Sequence, residues 1–235
     1  MLERDNTKNR GGRIIVALDF ADPGEALDVV SDLAGELAIF KVGLQLYTAA
    51  GPEIVRAIQN ARAEVFLDLK LYDIPNTVAR AVEAAAALGV RMLTVHLSGG
   101  RRMLEGAVAS APPDLLLLGV TVLTSSDAET LRESGVESGV EEQVVRLANL
   151  GAAAGIRGIV ASPHEVRRLR SEVNEKLIIV TPGVRPSWAG ADDQKRVMTP
   201  REALDNGSDY LVIGRPITAA DDRRGALRRI VSDLE

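Results

Sequence analysis

Asp68, Lys70 and Asp73 alternate in sign within one short stretch, Asp68-Leu69-Lys70-Leu71-Tyr72-Asp73-Ile74-Pro75-Asn76-Thr77, which follows the apolar run Val65-Phe66-Leu67. On a strand, residues two apart share a face. Asp68 and Lys70 then point the same way as Glu64 and Phe66, while Val65, Leu67 and Leu69 make an apolar opposite face. A lysine ammonium held beside a carboxylate can stabilise developing negative charge and deliver a proton. Two readings fit these residues taken alone. An edge strand with one wet face gives the same alternation, and surface ion pairs contribute little. A face turned into the protein makes charge expensive unless it is matched, and such pairs mark sites.

The rest of the chain separates the two. Ile14 to Asp19 is an apolar run ending in a carboxylate, and Pro23 then opens a helical pattern through Ala26, Leu27, Val30 and Leu33. Ala38 to Gly43 is a second run with Lys41 near its end, followed by a helix opened by Gly51-Pro52. The charged stretch ends the third run, and its helix starts near Pro75 and continues to Leu88. Met92 to Val95 precedes His96 and a Gly99-Gly100 turn into a further helix, and Leu115 to Val122 precedes Thr124 and a helix around Val144 to Leu150. Gly158 to Val160 leads to a helix through Val166 and Leu169. Leu177 to Val180 leads to a long polar loop and a short helix from Pro200. Tyr210 to Ile213 leads to Gly214-Arg215-Pro216 and a last helix from Ala226 to Leu234. Strands alternating with helices imply parallel pairing and right-handed crossovers. Eight such units predict a closed (β/α)8 TIM barrel over residues 13–235, preceded by a loose polar tail at 1–12. A doubly wound open sheet is the competitor, but the first strand is not followed by a G-x-G-x-x-G turn.

In such a barrel the active site lies at the C-terminal strand ends. Asp19, Lys41, Asp68 with Lys70, His96, Thr124, Arg185 and Gly214-Arg215 all fall at or just after those ends. Scattered surface charge would not choose one end of each strand, so the reading of Asp68 and Lys70 moves toward a site. Phosphate in these barrels often binds after strands seven and eight. Arg185 and Gly214-Arg215 occupy those two loops, where the backbone can approach an anion and guanidinium forks can hold it. The loop at 183–198 is long enough to act as a lid. Trp188, the only tryptophan, is expected to pack that loop, and His164 to be structural. His96 is equally consistent with an acid–base group and a structural hydrogen-bonder.

Composition narrows the alternatives. A formal net charge of -5 and no basic patch interleaved with aromatics argue against nucleic-acid partners. Without cysteine there is no disulfide, thiolate metal site or cysteine nucleophile, and two histidines make no histidine-rich metal centre. No apolar run approaches the ~20 residues of a membrane span, and the polar start carries no secretory pattern. A cytoplasmic enzyme with neither metal nor membrane partner is the expectation.

These blocks resemble the orotidine 5′-phosphate decarboxylase family. Beyond the Asp68–Thr77 string, the resemblance is carried by Val-Ala-Leu-Asp at 16–19, Phe-Lys-Val-Gly at 40–43 and Thr-Val-Leu-Thr-Ser at 121–125. Thr-Pro-Gly-Val-Arg-Pro at 181–186, Asp-Gln-Lys-Arg at 193–196 and Val-Ile-Gly-Arg-Pro at 212–216 complete it, all in the family's order. The shorter D-x-K-x-x-D pattern is shared with related sugar-phosphate barrels, some of which use a divalent metal. The resemblance implies cofactor-free decarboxylation of orotidine 5′-phosphate to UMP and CO2. It implies that Lys41, Asp68, Lys70 and Asp73 form an alternating charge network, with Lys70 protonating the ring carbon that loses CO2. It implies a homodimer in which Asp73 and Thr77 serve the partner's site. Asp19 and Lys41 would contact the ribose, Thr124 the pyrimidine amide edge, and Pro182 the base. Gln194, Arg185, Gly214 and Arg215 would hold the phosphate, and Ile74 belongs to the implied substrate-binding set.

Overall fold

Eight parallel strands pair in strict sequence order and close into a barrel, β8 returning to β1. The computed structural model describes residues 10–36, 39–173, 176–189 and 198–234. The strands are β1 (Ile14–Leu18), β2 (Ile39–Gly43), β3 (Glu64–Leu71), β4 (Met92–His96), β5 (Leu116–Val120), β6 (Gly158–Val160), β7 (Ile178–Thr181) and β8 (Tyr210–Ile213). Around them, in chain order, run α1 (Pro23–Leu33), α2 (Leu44–Ala50), α3 (Glu53–Asn60), α4 (Pro75–Ala87), α5 (Gly100–Ser110), α6 (Ala128–Glu133), α7 (Val140–Ala153), α8 (Val166–Glu172), α9 (Pro200–Asp205), α10 (Arg215–Thr218) and α11 (Arg223–Leu234).

The expected barrel is the observed one, with three helices that sequence periodicity did not announce: α2, α6 and α10. Each spans only a turn or two, too short to show a repeating apolar stripe. Of the expected tail at 1–12, residues 1–9 lie outside the described residues, and Arg10–Arg13 forms a 3-10 turn leading into β1. The major helices start where local chemistry dictates. Asp22 caps α1 by accepting from the Gly24 N–H at 2.7 Å, with Pro23 in the first turn, where a missing N–H costs nothing. Thr199 and Glu202 form a reciprocal capping box on α9. Ile74 is extended (φ -58°, ψ 150°), as a residue before proline prefers, so α4 begins at Pro75.

Strand alternation sorts the apolar residues into two layers. Ile14, Val16, Leu18, Phe40, Val42, Val65, Leu67, Leu93, Val95, Leu117, Ile159, Ile179, Leu211 and Ile213 face outward and pack with the helices. Ile15, Ala17, Ile39, Phe66, Met92, Leu116, Leu118, Val180 and Val212 face inward and fill the barrel. The polar residues that continue the inward rows emerge at the C-terminal mouth.

Candidate active site

Two residues beyond an inward apolar position, the rows of β1, β2 and β3 turn charged, and those of β7 and β8 end in proline and glycine. Ala17 is followed on its face by Asp19, Ile39 by Lys41, Phe66 by Asp68 and Lys70, Val180 by Pro182, and Val212 by Gly214. All of these except Ile39 and Val180 line one cavity of about 500 Å³, within the range of roughly 300–1,000 Å³ typical of small-molecule sites. Thr124, Arg185 and Arg215 line it too, and Ala17, Phe66, Val120, Val160 and Val212 supply an apolar floor. Thus nine of the sequence-nominated residues meet around one space: Asp19, Lys41, Asp68, Lys70, Thr124, Pro182, Arg185, Gly214 and Arg215.

Four of them form a chain of alternating charge. The Lys41 ammonium donates to Asp19 Oδ1 at 2.9 Å and lies 4.0 Å from Asp68 Oδ2. The Lys70 ammonium donates to that same Asp68 oxygen at 2.8 Å. The side chains of Lys41 and Asp68 are largely buried, at 11% and 13% exposure, whereas Asp19 is 65% exposed at the rim. Two carboxylates and two ammonium groups sum to zero, which makes burial of the inner members tolerable. Gly43 is part of the arrangement, because a Cβ there would stand 3.2 Å from Lys41 Nζ and 3.6 Å from Asp19 Oδ1.

Sequence reasoning missed Thr94. It is wholly buried at the middle of β4. Its hydroxyl accepts from the Lys70 backbone N–H at 2.8 Å and donates to Asp68 Oδ1 at 2.9 Å. The available signal was parity: Thr94 shares a strand face with Met92, so it continues an inward row. The backbone of Lys70 was not legible either. Its φ is +50°, in the left-handed region, and the β3–β4 register shifts between Leu67 and Leu71.

Asp73, Ile74 and Thr77 do not line the cavity. They lie in a run of exposed residues at 72–77, with Tyr72 62% and Ile74 66% exposed, and the Asp73 carboxylate accepts from the Ile74 N–H at 2.6 Å. Gln194 lies outside the described residues, as does half of the expected lid, 190–197. The two ends of that loop are pinned together: Val184 pairs with Met198, and the Arg185 N–H donates to the Met198 carbonyl at 3.0 Å. Trp188 packs the loop's near side against α11. Its indole N–H reaches Asp233 at 3.3 Å, and the Arg229 guanidinium sits 4.6 Å from its ring centroid.

His96 ends β4 with its ring 5.8 Å from that of Tyr72. Its Nδ1 is buried without a hydrogen-bond partner among the described residues. Burial lowers its pKa from the ordinary histidine value, the Lys70 charge lowers it further, and Asp68 opposes them. Among the described residues, no three histidine, cysteine, aspartate or glutamate side chains converge in a metal-binding group, and no helix is long and apolar enough to cross a membrane.

Comparison with known proteins matches this geometry to a family. The sequence model of the orotidine 5′-phosphate decarboxylase / HUMPS family matches residues 12–230. An orotidine 5′-phosphate decarboxylase of Syntrophotalea carbinolica is 52% identical, over 94% of this chain and 94% of the relative. That of Geobacter sulfurreducens is 47% identical over 99% of both chains. The crystal structure of orotidine 5′-phosphate decarboxylase from Lactobacillus acidophilus superimposes with a TM-score of 0.82 at 34% identity, covering 95% of this chain and 99% of that one. A match to the family model over nearly the whole chain, relatives of about half-identical sequence and a shared barrel lead to one conclusion: this chain belongs to the orotidine 5′-phosphate decarboxylase / HUMPS family.

Proposed function

We propose that this protein decarboxylates orotidine 5′-phosphate to UMP and CO2 in pyrimidine biosynthesis, without a cofactor, through a charge network of Lys41, Asp68 and Lys70 that Asp73 of a second copy completes. The observation that carries the reading is the Lys70 ammonium, held 2.8 Å from Asp68 and facing a cavity that Arg185 and Arg215 also line. Breaking the bond between the ring and its carboxylate releases CO2 and leaves the electron pair on the ring carbon. No electron sink is invoked, so the protein must stabilise that pair and supply a proton. Lys70 does both: its charge stabilises the developing carbanion, and one of its N–H protons closes the ring carbon. The resulting amine is reprotonated from solvent.

Asp68 fixes Lys70 and presents negative charge to the substrate carboxylate. Lys41 and Asp19 address the ribose, Thr124 the pyrimidine edge, and Pro182 the base. Arg185, Gly214, Arg215 and Gln194 take the phosphate. An acceleration of this kind lowers a barrier by ~20 kcal/mol or more, beyond what one lysine contributes. Phosphate binding remote from the reacting carbon is therefore part of the catalytic energy, with the loop at 183–198 closing over it. The cytoplasm is the proposed compartment, consistent with a chain free of cysteine.

The active form in this proposal is a homodimer. Asp73, Ile74 and Thr77 do not line their own cavity and lie in an exposed run that carries the apolar side chains of Tyr72 and Ile74. Apolar side chains grouped around polar groups with no role in their own site fit a surface that completes a second copy's site. Mixing the Lys70→Ala and Asp73→Ala enzymes tests this. Each homodimer is inactive, while random exchange yields roughly a quarter of the native sites intact; absence of recovery after subunit exchange refutes the shared site.

The test of the reaction itself is the loss of orotidine 5′-phosphate absorbance, followed with and without a chelator. Equal turnover in both supports the cofactor-free reading. Turnover abolished by chelator and restored by a divalent cation would instead favour a metal-dependent sugar-phosphate reaction.

A further inference from the structure

We propose that Thr94 is a positioning residue for the decarboxylation, its single hydroxyl holding both the Asp68 carboxylate and the Lys70 backbone in their working arrangement. The inference rests on the charge-chain reading above and adds a residue that the sequence motif does not contain. A threonine hydroxyl has one proton to give and lone pairs to accept with. An ionised carboxylate only accepts, so the proton goes to Asp68 Oδ1 at 2.9 Å, and a lone pair takes the Lys70 N–H at 2.8 Å. Both directions are fixed by the partners. Thr94 is wholly buried, so water does not compete for either bond.

The need for such a group lies in the backbone. Between Leu67 and Leu71, β3 advances four residues while β4 advances two, from Leu93 to Val95. Lys70 sits in this irregularity with φ +50°, a conformation that residues with a Cβ rarely adopt. There the regular ladder no longer serves its N–H, and the Thr94 side chain takes the place of a β4 carbonyl. The bulge re-aims the lysine: Lys70 and Asp68 both face the cavity, with Nζ 2.8 Å from Asp68 Oδ2. Asp68 therefore receives Thr94 on one oxygen and Lys70 on the other, so its plane is set from both sides. Removing the hydroxyl unlocks the carboxylate and the lysine backbone together, whereas neither touches the phosphate-binding loops.

Three variants test this. Thr94→Val keeps the shape and removes the hydroxyl, Thr94→Ser keeps the hydroxyl and removes the methyl, and Thr94→Ala serves as a second hydroxyl-free form. Turnover is counted per UMP-binding site, so only folded molecules are scored. Thr94→Val and Thr94→Ala should lose about 10- to 100-fold in kcat, the scale of a small misplacement of a reacting group. UMP affinity should stay within about threefold, and Thr94→Ser should recover kcat to within about threefold. A purely structural role would lower the melting temperature and leave kcat per site unchanged. Native kcat in Thr94→Val, or an equal loss in Thr94→Ser, overturns the assignment while an inactive Lys70→Ala enzyme leaves the charge-chain reading standing. Native turnover in Lys70→Ala overturns that reading, and the role of Thr94 with it.

Discussion

Both ends of the barrel are rich in charge, yet only one of them carries the charge chain that lines the proposed site. At the N-terminal end, Arg170 donates to the Gly207 carbonyl from two nitrogens, at 2.9 and 2.7 Å, and to the Leu177 carbonyl at 2.6 Å. It also reaches Asp209 at 2.6 Å, and that same carboxylate oxygen accepts the Ile179 N–H at 2.7 Å. Arg157 likewise donates to the carbonyls of Pro113 and Leu115 at 3.0 and 2.9 Å. There the guanidinium groups are consumed by backbone carbonyls at the starts of β5, β7 and β8. They knit the strands together and keep little capacity for a ligand. At the C-terminal end Asp19, Lys41, Asp68 and Lys70 bond mainly to one another. Among the described residues the Lys70 ammonium hydrogen-bonds Asp68 alone, and it looks onto a cavity of about 500 Å³. A charge at a strand end becomes chemistry where the backbone has not already claimed it.

That contrast can be broken by exchanging what each end loses. The largest effect belongs to Lys70→Ala, which should reduce turnover by about 10⁴-fold or more with UMP binding retained in a direct titration. Near-native turnover would return the mouth of the barrel to the status of its base. Arg215→Ala should weaken UMP by about 10- to 100-fold, the worth of one charge-assisted hydrogen bond, and leave uridine affinity unchanged. Equal losses for both ligands would separate Arg215 from the phosphate. At the opposite end, Arg170→Ala should cost about 2–3 kcal/mol in denaturant unfolding, with kcat per folded molecule unchanged. A drop in kcat without a drop in stability would dissolve the division between the two ends.

The smallest effect sharpens it from the side of pH. The pKa of His96 is held below its unfolded value by burial and then by Lys70. As pH falls below about 6.5, the unfolded chain takes up a proton at this residue before the folded one does. Its contribution to stability is therefore intact above that pH and is lost as pH drops toward the lowered folded value. Unfolding free energies measured across that window should fall more steeply for the native protein than for His96→Gln. Parallel profiles would show that His96 titrates alike folded and unfolded.

Much of this architecture is legible in the residue order, and the misses are instructive. Short amphipathic pieces escaped because α2 and α6 are too brief to repeat a stripe. Thr94 escaped because a lone threonine in an apolar strand is an ordinary β-former; it gains meaning only once Lys70 stands across from it. Trp188, by contrast, behaves as expected, stacked under Arg229 and bonded to Asp233 while packing its loop.

By itself the sequence determined the eight strand–helix units, the polar ends of the inward rows and the identity of the charged groups. Those are properties of local periodicity and residue type, and both are written in order along the chain. Only the tertiary structure decided that β3 slips against β4, that Lys70 turns through a left-handed backbone to reach Asp68, and that Asp73 does not line the cavity it follows. Closing eight twisted strands into a ring fixes their mutual register. Register is a relation between distant segments that no single stretch of residues specifies.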